Sequence, residues 1–126
     1  MGIPKPTEAE LDILRVLWEL GPSTVRQVHN VLSSERDVGY TTVLKPMQIM
    51  FEKGLVTRDD SEKSHVYKAK QRAQTTQRQL VTDLLTRAFG GSTEQLVLQA
   101  LSSKKVTKSE LAEIRRMLDE LEGEAQ

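Results

Sequence analysis

The fold is decided by the stretch TTVLKPMQIMFEKGLVTR, residues 41–58. Its first part carries apolar side chains at helical spacing. These are Val43, Leu44, Met47 and Met50. Gly54 then acts as a helix C-cap, and the period changes to that of a strand over residues 55–58. Because a polar turn and a second alternating run at 65–69 follow, the stretch predicts a helix from Thr41 to Lys53 that leads directly into a β-hairpin.

Two helices are predicted before this stretch. Thr7 and Glu10 form a T-x-x-E capping box at the start of the first, and Gly21-Pro22 ends it. Ser23 is expected to cap the second. Three helices followed by a hairpin is the order of a winged helix-turn-helix, in which the third helix enters the major groove of DNA. Residues 1–71 are therefore predicted to be a winged-helix DNA-binding domain.

The rest of the chain, residues 72–126, reads as three helices that each have one apolar face. A lobe of this size is too small to bury all three faces alone, so a second copy is expected to cover them, although packing within one chain is the alternative for the last helix. The predicted dimerisation residues are Leu80, Leu84, Leu85, Phe89, Leu96, Leu101, Leu111, Ile114, Leu118 and Leu121. The expected fold class is mainly α with a small β-hairpin, a winged helix-turn-helix followed by a three-helix dimerisation lobe.

The third helix offers hydrogen-bonding groups on the side opposite its apolar stripe. Threonine suits phosphates or thymine methyls, lysine suits guanine, and glutamine suits adenine. The N-terminus of the second helix can direct backbone N–H groups at a phosphate, and Arg26 follows one turn later. On an arbitrary helix, Lys45 and Gln48 would be ordinary surface residues. The expected DNA-binding residues are Ser23, Arg26, Thr41, Thr42, Lys45, Gln48, Ile49, Arg58 and Lys63.

Short motifs in separate segments occur along the chain in one order. They are Thr7-Glu8-Ala9-Glu10-Leu11, Val16-Leu17-Trp18, Tyr40-Thr41-Thr42-Val43-Leu44, Glu52-Lys53-Gly54-Leu55-Val56, His65-Val66-Tyr67 and Phe89-Gly90-Gly91-Ser92. Together they resemble the penicillinase-repressor (BlaI/MecI) family over most of the chain. The resemblance implies a cytoplasmic, homodimeric winged-helix repressor that binds a palindromic operator in double-stranded DNA and dimerises through interlocked C-terminal helices.

The resemblance also implies a release mechanism. In that family, repression is commonly relieved when a membrane-bound sensor metalloprotease responds to a β-lactam and triggers cleavage of the repressor in its C-terminal lobe. The family's scissile bond is Asn–Phe, and the aligned position in this chain is Gln99-Ala100. This region is a possible cleavage region, but the same cleavage specificity is not expected because both residues differ.

Three departures from the family pattern lie on the third helix, at Pro46, Ile49 and Phe51. A proline inside a helix removes a hydrogen bond, so a kink or a loosened first turn is predicted at Pro46. The turn of the hairpin, residues 59–64, is acidic, and phosphates would repel it. These features motivate an alternative function, a winged-helix protein-interaction module whose DNA recognition is reduced or lost.

Composition excludes several other classes. The 126 residues contain no cysteine and only two histidines, which argues against disulfides, thiolate metal sites and a histidine-rich metal site. No nucleophile–base pair or phosphate loop is present, so neither an enzyme nor a cofactor is expected. No run of about 18 apolar residues and no basic-then-apolar leader is found, so neither membrane insertion nor secretion is expected.

The charge is balanced, with 18 basic and 18 acidic side chains. A neutral chain argues against a general, nonspecific coat on nucleic acid, yet a local basic face is compatible with it. Residues 36–58 have four basic and two acidic side chains, which leaves +2 on this segment. DNA binding is therefore expected to be local, and to depend on two copies of the chain acting together.

Overall fold

The computed structural model of the chain describes residues 2–103 and 105–124. Helices dominate, and a small antiparallel sheet accompanies them, which confirms the predicted fold class. The helices are α1 (Glu8–Leu20), α2 (Val25–Glu35), α3 (Tyr40–Lys53), α4 (Ala73–Phe89), α5 (Thr93–Ser103) and α6 (Lys108–Glu124). The strands are β1 (Ser23–Thr24), β2 (Val56–Asp59) and β3 (Val66–Ala69). Residues 1, 104, 125 and 126 of the two predicted domains lie outside the described part.

An apolar core lies among α1, α2, α3 and the sheet. From α3 it takes Val43, Met47 and Met50, each 1% exposed or less, as the predicted inward stripe requires. Leu44, the fourth member of that stripe, is partly buried against the core. Because successive turns of α3 are anchored in this way, its opposite side faces solvent from a fixed backbone.

The predicted capping box is present at the start of α1. The Thr7 hydroxyl accepts a hydrogen bond from the Glu10 N–H at 3.2 Å, and the Glu10 carboxylate accepts one from the Thr7 N–H at 2.9 Å. The same carboxylate is only 5% exposed, and both of its oxygens accept from Lys53 Nζ at 2.9 Å. Glu10 therefore joins the first turn of α1 to the last turn of α3.

The sheet has the strand order β1-β3-β2, and both pairs are antiparallel. The predicted hairpin corresponds to β2 and β3, which together with their connecting turn are called the wing below. The prediction lacked β1, where Ser23 pairs with Tyr67 and Thr24 pairs with Val66. A strand of two residues is too short to have an alternation that a sequence could reveal. Through β1, the wing is fastened to the start of α2.

The cap of α2 also differs from the prediction, which assigned it to Ser23. The Thr24 hydroxyl accepts from the Gln27 N–H at 3.2 Å, and the Gln27 side chain accepts from the Thr24 N–H at 2.8 Å. Ser23 is 2% exposed, and its hydroxyl donates to the Gly21 carbonyl at 2.8 Å. The prediction was wrong because pairing with β3 draws Ser23 inward, so the helix starts one residue later.

α3 starts at Tyr40, one residue before the predicted start, and continues past Pro46 as one helix. Pro46 has no N–H, so the Thr42 carbonyl lacks the donor that any other residue would supply at that position. The Thr42 N–H donates to the Gly39 carbonyl at 3.2 Å, a spacing of three residues that tightens the first turn. The kink at Pro46 stays a prediction.

The start of α4 is held against the winged helix. Trp18 packs on the core, and its Nε1–H donates to the Gln71 carbonyl at 2.9 Å, which fastens the segment between β3 and α4 to α1. Within α4, Thr76 is 3% exposed, and Gln79 Nε2 donates to the Ile3 carbonyl at 2.7 Å. These contacts add the first turns of α4 to the N-terminal part of the structure.

Contacts divide the chain into two compact units, Met1–Val81 and Thr82–Gln126. The division lies inside α4, whereas the sequence places the domain boundary before it, after residue 71. The difference comes from the buried and hydrogen-bonded side chains at the start of α4, which helical periodicity does not distinguish from the rest of that helix. The division into a DNA-binding domain, residues 1–71, and a dimerisation domain, residues 72–126, stays a prediction.

The second unit contains little buried surface. Gly90 and Gly91 have positive φ angles of 55° and 87°, as expected for the predicted break between α4 and α5. Among the described residues, none in α5 or α6 is buried. The large exposed apolar side chains of this unit are Leu84, Val97, Leu98, Leu111, Met117, Leu118 and Leu121. A single chain therefore leaves the apolar faces of these helices in contact with water.

The pair of Glu10 and Lys53 leads to a first prediction. Glu10→Gln should lower the free energy of unfolding by about 1–2 kcal/mol at neutral pH, because a charge-assisted hydrogen bond is lost. Urea denaturation of the full chain measures this change. Glu8→Gln, an exposed position in the same turn, is the matched control and should change stability far less.

The effect should also depend on pH. Burial opposes ionisation of Glu10, but the Thr7 N–H and the Lys53 ammonium outweigh it, so the pKa lies below its ordinary value of 4.5. Such a group stabilises the fold fully above its ordinary pKa, and this contribution is lost as the pH falls through the lower folded value. The gap between wild type and Glu10→Gln should shrink below pH 4.5. A gap that stays constant down to about pH 2 would contradict the pairing.

A second prediction concerns Pro46. Pro46→Ala should raise the free energy of unfolding by about 2 kcal/mol, because alanine gives the Thr42 carbonyl its donor, against a smaller loss from the freer unfolded chain. Urea denaturation with an unchanged m-value is the measurement. Pro22 lies outside the helices, so Pro22→Ala should only lower the free energy of unfolding slightly, through the freer unfolded chain. Lower stability of Pro46→Ala would show that α3 gains nothing from the restored hydrogen bond.

Candidate nucleic-acid interface

The solvent-facing side of α3 carries most of the side chains that the sequence assigns to DNA. Thr41, Thr42, Lys45, Gln48 and Ile49 are all exposed, Ile49 to 47%. They lie opposite the buried stripe of the helix and include hydroxyl, ammonium, amide and aliphatic groups. These groups match the edges of bases and the phosphate backbone. An acidic residue of α3 follows only in its last turn.

A cleft with a volume of about 390 Å³ separates α3 from the start of α2 and from the wing. Arg26 lines it from α2, Gln48 lines it from α3, and Lys63 lines it from the turn of the wing. Two cationic side chains from different elements thus meet at one opening beside the amide of Gln48, which the sequence assigns to DNA. Cations that flank a recognition helix are the usual contacts of the phosphate backbone.

Aromatic contacts position the first of these cations. The Cζ atom of Arg26 lies 4.7 Å from the centroid of the Tyr40 ring. The Tyr40 ring meets His29 edge to face, with centroids 5.8 Å apart. His29 Nε2 donates to the Val38 carbonyl at 2.8 Å, because a carbonyl only accepts. The chain of contacts fixes Arg26 relative to the first residue of α3.

Tyr40 is a site residue that the sequence reasoning missed. It was noted only as part of the family-like motif and was not assigned to DNA. Its single sequence signal is an aromatic residue at the start of the third helix, and its contact with Arg26 depends on how α2 and α3 pack. Tyr40 is 37% exposed, so its ring is available at the opening of the cleft.

The turn of the wing is acidic, as the sequence indicates. Asp59, Asp60 and Glu62 are all exposed. Asp59 Oδ1 accepts from the Ser61 N–H at 2.9 Å, and hydrogen bonds from Ser61 lower the pKa of Asp59 below its ordinary value. The turn therefore keeps a fixed negative charge, which opposes insertion between closely spaced phosphates.

Arg58 differs from Arg26, Lys45 and Lys63, the other expected cationic contacts of DNA, because its side chain forms an ion pair among the described residues. Its Nε donates to Asp60 Oδ1 at 2.7 Å, and its Nη2 donates to Asp60 Oδ2 at 3.3 Å. Its Cζ atom lies 4.0 Å from the centroid of the Phe51 ring. Hydrogen bonding to Asp60 and then to Tyr67 raises the pKa of Arg58 above its ordinary value. A phosphate contact by Arg58 would have to break these interactions.

Fewer of the cations in residues 36–58 are available to an external anion than the net charge of this segment indicates. Three of its cations are engaged in ion pairs, Arg36–Asp12, Lys53–Glu10 and Arg58–Asp60. Within the described part of the chain, no ion pair includes Arg26, Lys45 or Lys63. The cations available to an anion therefore differ from those that the segment charge counted.

Ser23 is the expected DNA contact that the structure removes from this surface. Its side chain is buried, and its hydroxyl donates within the turn before β1. The physical cause is the pairing of β1 with β3, which the sequence does not reveal. The exposed hydroxyl-bearing residues that line the cleft are instead Tyr40 of α3 and Ser64 of the wing.

The expected dimerisation residues lie along α4, α5 and α6. Leu84, Leu111, Leu118 and Leu121 are exposed, Leu118 and Leu121 to 54% and 55%. The partly buried members are Leu80, Leu85, Phe89, Leu96, Leu101 and Ile114. Gln99 and Ala100, the possible cleavage region, are both exposed within α5.

Two further findings concern residues 2–103 and 105–124. No group of three or more histidine, aspartate or glutamate side chains is placed to hold a metal ion. No helix combines the length and the apolar character needed to cross a membrane.

Comparisons with known proteins agree with the geometry. The family model described as "Penicillinase repressor" matches residues 6–120. The transcriptional regulator BlaI of Mycobacterium tuberculosis, in two strains, is 33% identical over 117 residues, which cover 92% of this chain and 84% of that protein. A penicillinase repressor of Staphylococcus aureus is 19% identical over 113 residues, which cover 90% of each chain.

A solved structure supports the same fold for the N-terminal part. It is the solution structure of the DNA-binding domain of the repressor BlaI, with a TM-score of 0.52 and 21% sequence identity. The similarity covers 57% of this chain and 88% of that domain. At this identity the likeness concerns the fold, and it agrees with the winged helix described above.

Proposed function

The chain belongs to the penicillinase repressor family, and on that premise we propose that it is a DNA-binding transcriptional repressor that reads its operator with α3. The observation that carries the proposal is the exposed face of α3, from Thr41 to Ile49, held by a buried stripe on the opposite side of the same helix. Members of this family are transcriptional regulators, and no catalytic role is proposed. A DNA target implies a cytoplasmic location.

The exposed side chains divide into two kinds of contact. Gln48 and Ile49 are proposed to read base edges, the amide pairing with adenine and the aliphatic group meeting a thymine methyl. Arg26, Lys63 and the hydroxyls of Thr41 and Thr42 are proposed to bind phosphates on either side. Lys45 lies on the same face and suits guanine.

Two copies of the chain are proposed to act together on a palindromic operator. Helices without buried residues are unstable on their own, and α5 and α6 have none among their described residues. A second copy that covers Leu111, Leu118 and Leu121 would bury these faces and fix the spacing of two recognition helices. Two weak contacts at one spacing give specific binding that a single copy lacks.

Release of the operator by proteolysis is the remaining part of the proposal. The family resemblance implies a pathway from a membrane-bound sensor metalloprotease, and Gln99-Ala100 is the aligned position in this chain. Both residues are exposed, but α5 holds their backbone in helical hydrogen bonds. Cleavage there would require local opening of α5, and a helix with no buried residue among those described opens at a low cost in free energy.

A third prediction separates base contacts from phosphate contacts. In a binding assay with a duplex selected from a randomised pool by the wild-type chain, Arg26→Gln should weaken binding to all sequences. It should also reduce the salt dependence by about 0.9 in the slope of log K against log salt for each chain. Gln48→Ala should cost about 1–3 kcal/mol on the preferred sequence, relax the base preference and leave the slope unchanged.

The control for this experiment is Arg15→Gln, which removes an exposed cation from α1 and should change neither the slope nor the preference. If the wild-type chain selects no sequence and binds no duplex at low salt, the repressor proposal fails. The alternative of a winged-helix protein-interaction module would then stand in its place.

A fourth prediction tests the two-copy arrangement. Leu118→Asp in the full chain should shift sedimentation from two chains to one at micromolar concentration, because a buried unpaired carboxylate is costly. It should also weaken operator binding by a factor of more than about ten, since two half-sites are no longer linked. Ala112→Asp places the same charge on the opposite side of α6 and should leave both properties near those of wild type. A wild-type chain that sediments as a monomer would contradict the arrangement.

A further inference from the structure

Arg58 connects the wing to the recognition helix. It lies on β2 opposite Tyr67 of β3, and it makes two hydrogen bonds to Asp60 in the turn of the wing. It also stacks on Phe51 of α3, with 4.0 Å from its Cζ atom to the ring centroid. One side chain therefore contacts both strands of the hairpin, its turn and the helix that faces DNA.

We propose that Arg58 is a positioning residue that clamps the wing to α3, and that it does not itself contact the DNA backbone. In this arrangement the clamp, defined as Arg58 with Phe51 and Asp60, sets how far Lys63 stands from the exposed face of α3. The inference rests on the proposed function, because it concerns how the same surface binds DNA. It assigns Arg58 a different role from the phosphate contact that its charge alone suggests.

The first argument for the clamp is the geometry of the guanidinium. A guanidinium is planar, with a hydrogen-bonding edge that matches a carboxylate and a flat face that stacks on aromatic rings. Asp60 occupies that edge at 2.7 and 3.3 Å, and Phe51 occupies a face. The Arg58 side chain is only 22% exposed, whereas Lys63 is exposed and has no ion pair among the described residues. Of these two cations, Lys63 is the one free to meet a phosphate.

The second argument for the clamp is the cost of releasing Arg58 from its contacts. If its guanidinium turned towards a phosphate, the carboxylate of Asp60 would lose its closest cation, keep only the His65 imidazole, whose Nδ1 lies 3.5 Å from Oδ1, and stand close to the same phosphates. The stacking contact with Phe51, which is 37% exposed, would be lost as well. A contact that sacrifices two favourable interactions and adds a repulsion gives little net affinity.

The position of the clamp explains its effect on DNA binding. A second cleft, of about 480 Å³, lies on the other flank of α3 and is lined by Ile49, Phe51 and Arg58. Gln48 lines both this cleft and the one that contains Arg26 and Lys63. Because the wing borders both clefts, its distance from α3 sets the width of each around the base-reading amide.

Strand pairing in the sheet connects the clamp to the start of α2. Tyr67 is 1% exposed and lies opposite Arg58 in one strand pair and opposite Ser23 in the other. The start of α2, the wing and α3 are thus connected through one central tyrosine and the clamp. A change at Arg58 should therefore alter the relative placement of all three surfaces that meet DNA.

The decisive experiment compares two substitutions of the same residue in the full chain. Arg58→Lys keeps the charge but loses the planar stacking and the paired hydrogen bonds, whereas Arg58→Gln loses the charge too. With a duplex selected by wild type from a randomised pool, the clamp predicts that both variants bind about fivefold more weakly. A phosphate contact predicts that Arg58→Lys binds like wild type, and this result would overturn the clamp.

A second comparison removes one negative charge from the turn in two ways. Glu62→Gln should tighten binding slightly, because it reduces repulsion of phosphates without touching the clamp. Asp60→Asn reduces the same repulsion but breaks the clamp, so it should bind more weakly than Glu62→Gln. If Asp60→Asn binds more tightly than Glu62→Gln, the released Arg58 is contacting DNA and the clamp is wrong.

A measurement on the free protein separates failure of the clamp from failure of the proposed function. In nuclear magnetic resonance spectra without DNA, the Phe51 ring should shift the Arg58 side-chain signals upfield, and Phe51→Leu should abolish that shift. Unshifted signals in wild type would refute the clamp whether or not DNA binds. A wild-type chain that shows the shift yet binds no duplex would refute the proposed function, and the inference about DNA falls with it.

Discussion

The ion pair between Glu10 and Lys53 fastens the last turn of α3 to the first turn of α1. The carboxylate is nearly inaccessible to water, while the ammonium of Lys53 keeps about a third of its side chain exposed. Only one of the two charges therefore bears most of the desolvation cost, and the Thr7 N–H offsets part of it. An α3 placed elsewhere would leave this carboxylate without its cationic partner and with only the Thr7 N–H of its own capping box, so the pair favours the observed docking of α3 on α1.

Ion pairs also engage cations elsewhere in the winged helix. Three cations near α3, Arg36, Lys53 and Arg58, are held by carboxylates of the fold, which leaves Arg26, Lys45 and Lys63 for an external anion. With so few free cations on this face, the attraction for DNA in general is expected to be weak, and the proposed operator binding would depend on shape, on base contacts and on the proposed second copy. The neutral composition is therefore compatible with a selective repressor, because nonspecific binding to the rest of the genome is kept low.

The sequence predicted those elements whose signals are local or periodic. The capping box of Thr7 and Glu10 and the buried stripe of Val43, Met47 and Met50 are of this kind. It missed β1, since two residues show no alternation, and with β1 it misplaced the cap of α2 on Ser23. A short strand is specified by its partner in space, and the pattern of neighbours along the chain does not contain that partner.

The candidate site was predicted in the same uneven way. The exposed row on α3 follows from helical periodicity, so Lys45, Gln48 and Ile49 were placed on one face from the sequence alone. Other contacts depend on how the elements pack and on the conformation of the hairpin turn. Arg58 contacts Phe51 and Asp60 in this way, and Arg26 stacks on Tyr40. A formal charge shows that a cation exists, and tertiary contacts decide whether it is free.

The contact of Trp18 has a further, optical consequence. It is the only tryptophan of the chain, and its indole N–H is bonded to the Gln71 carbonyl where the chain passes from the wing into α4. Indole emission responds to solvent and to hydrogen bonding at the ring, so the fluorescence of the natural protein monitors that junction without any label. Circular dichroism, in contrast, weights all helices, so a difference between the two signals during unfolding would reveal which part of the molecule opens first.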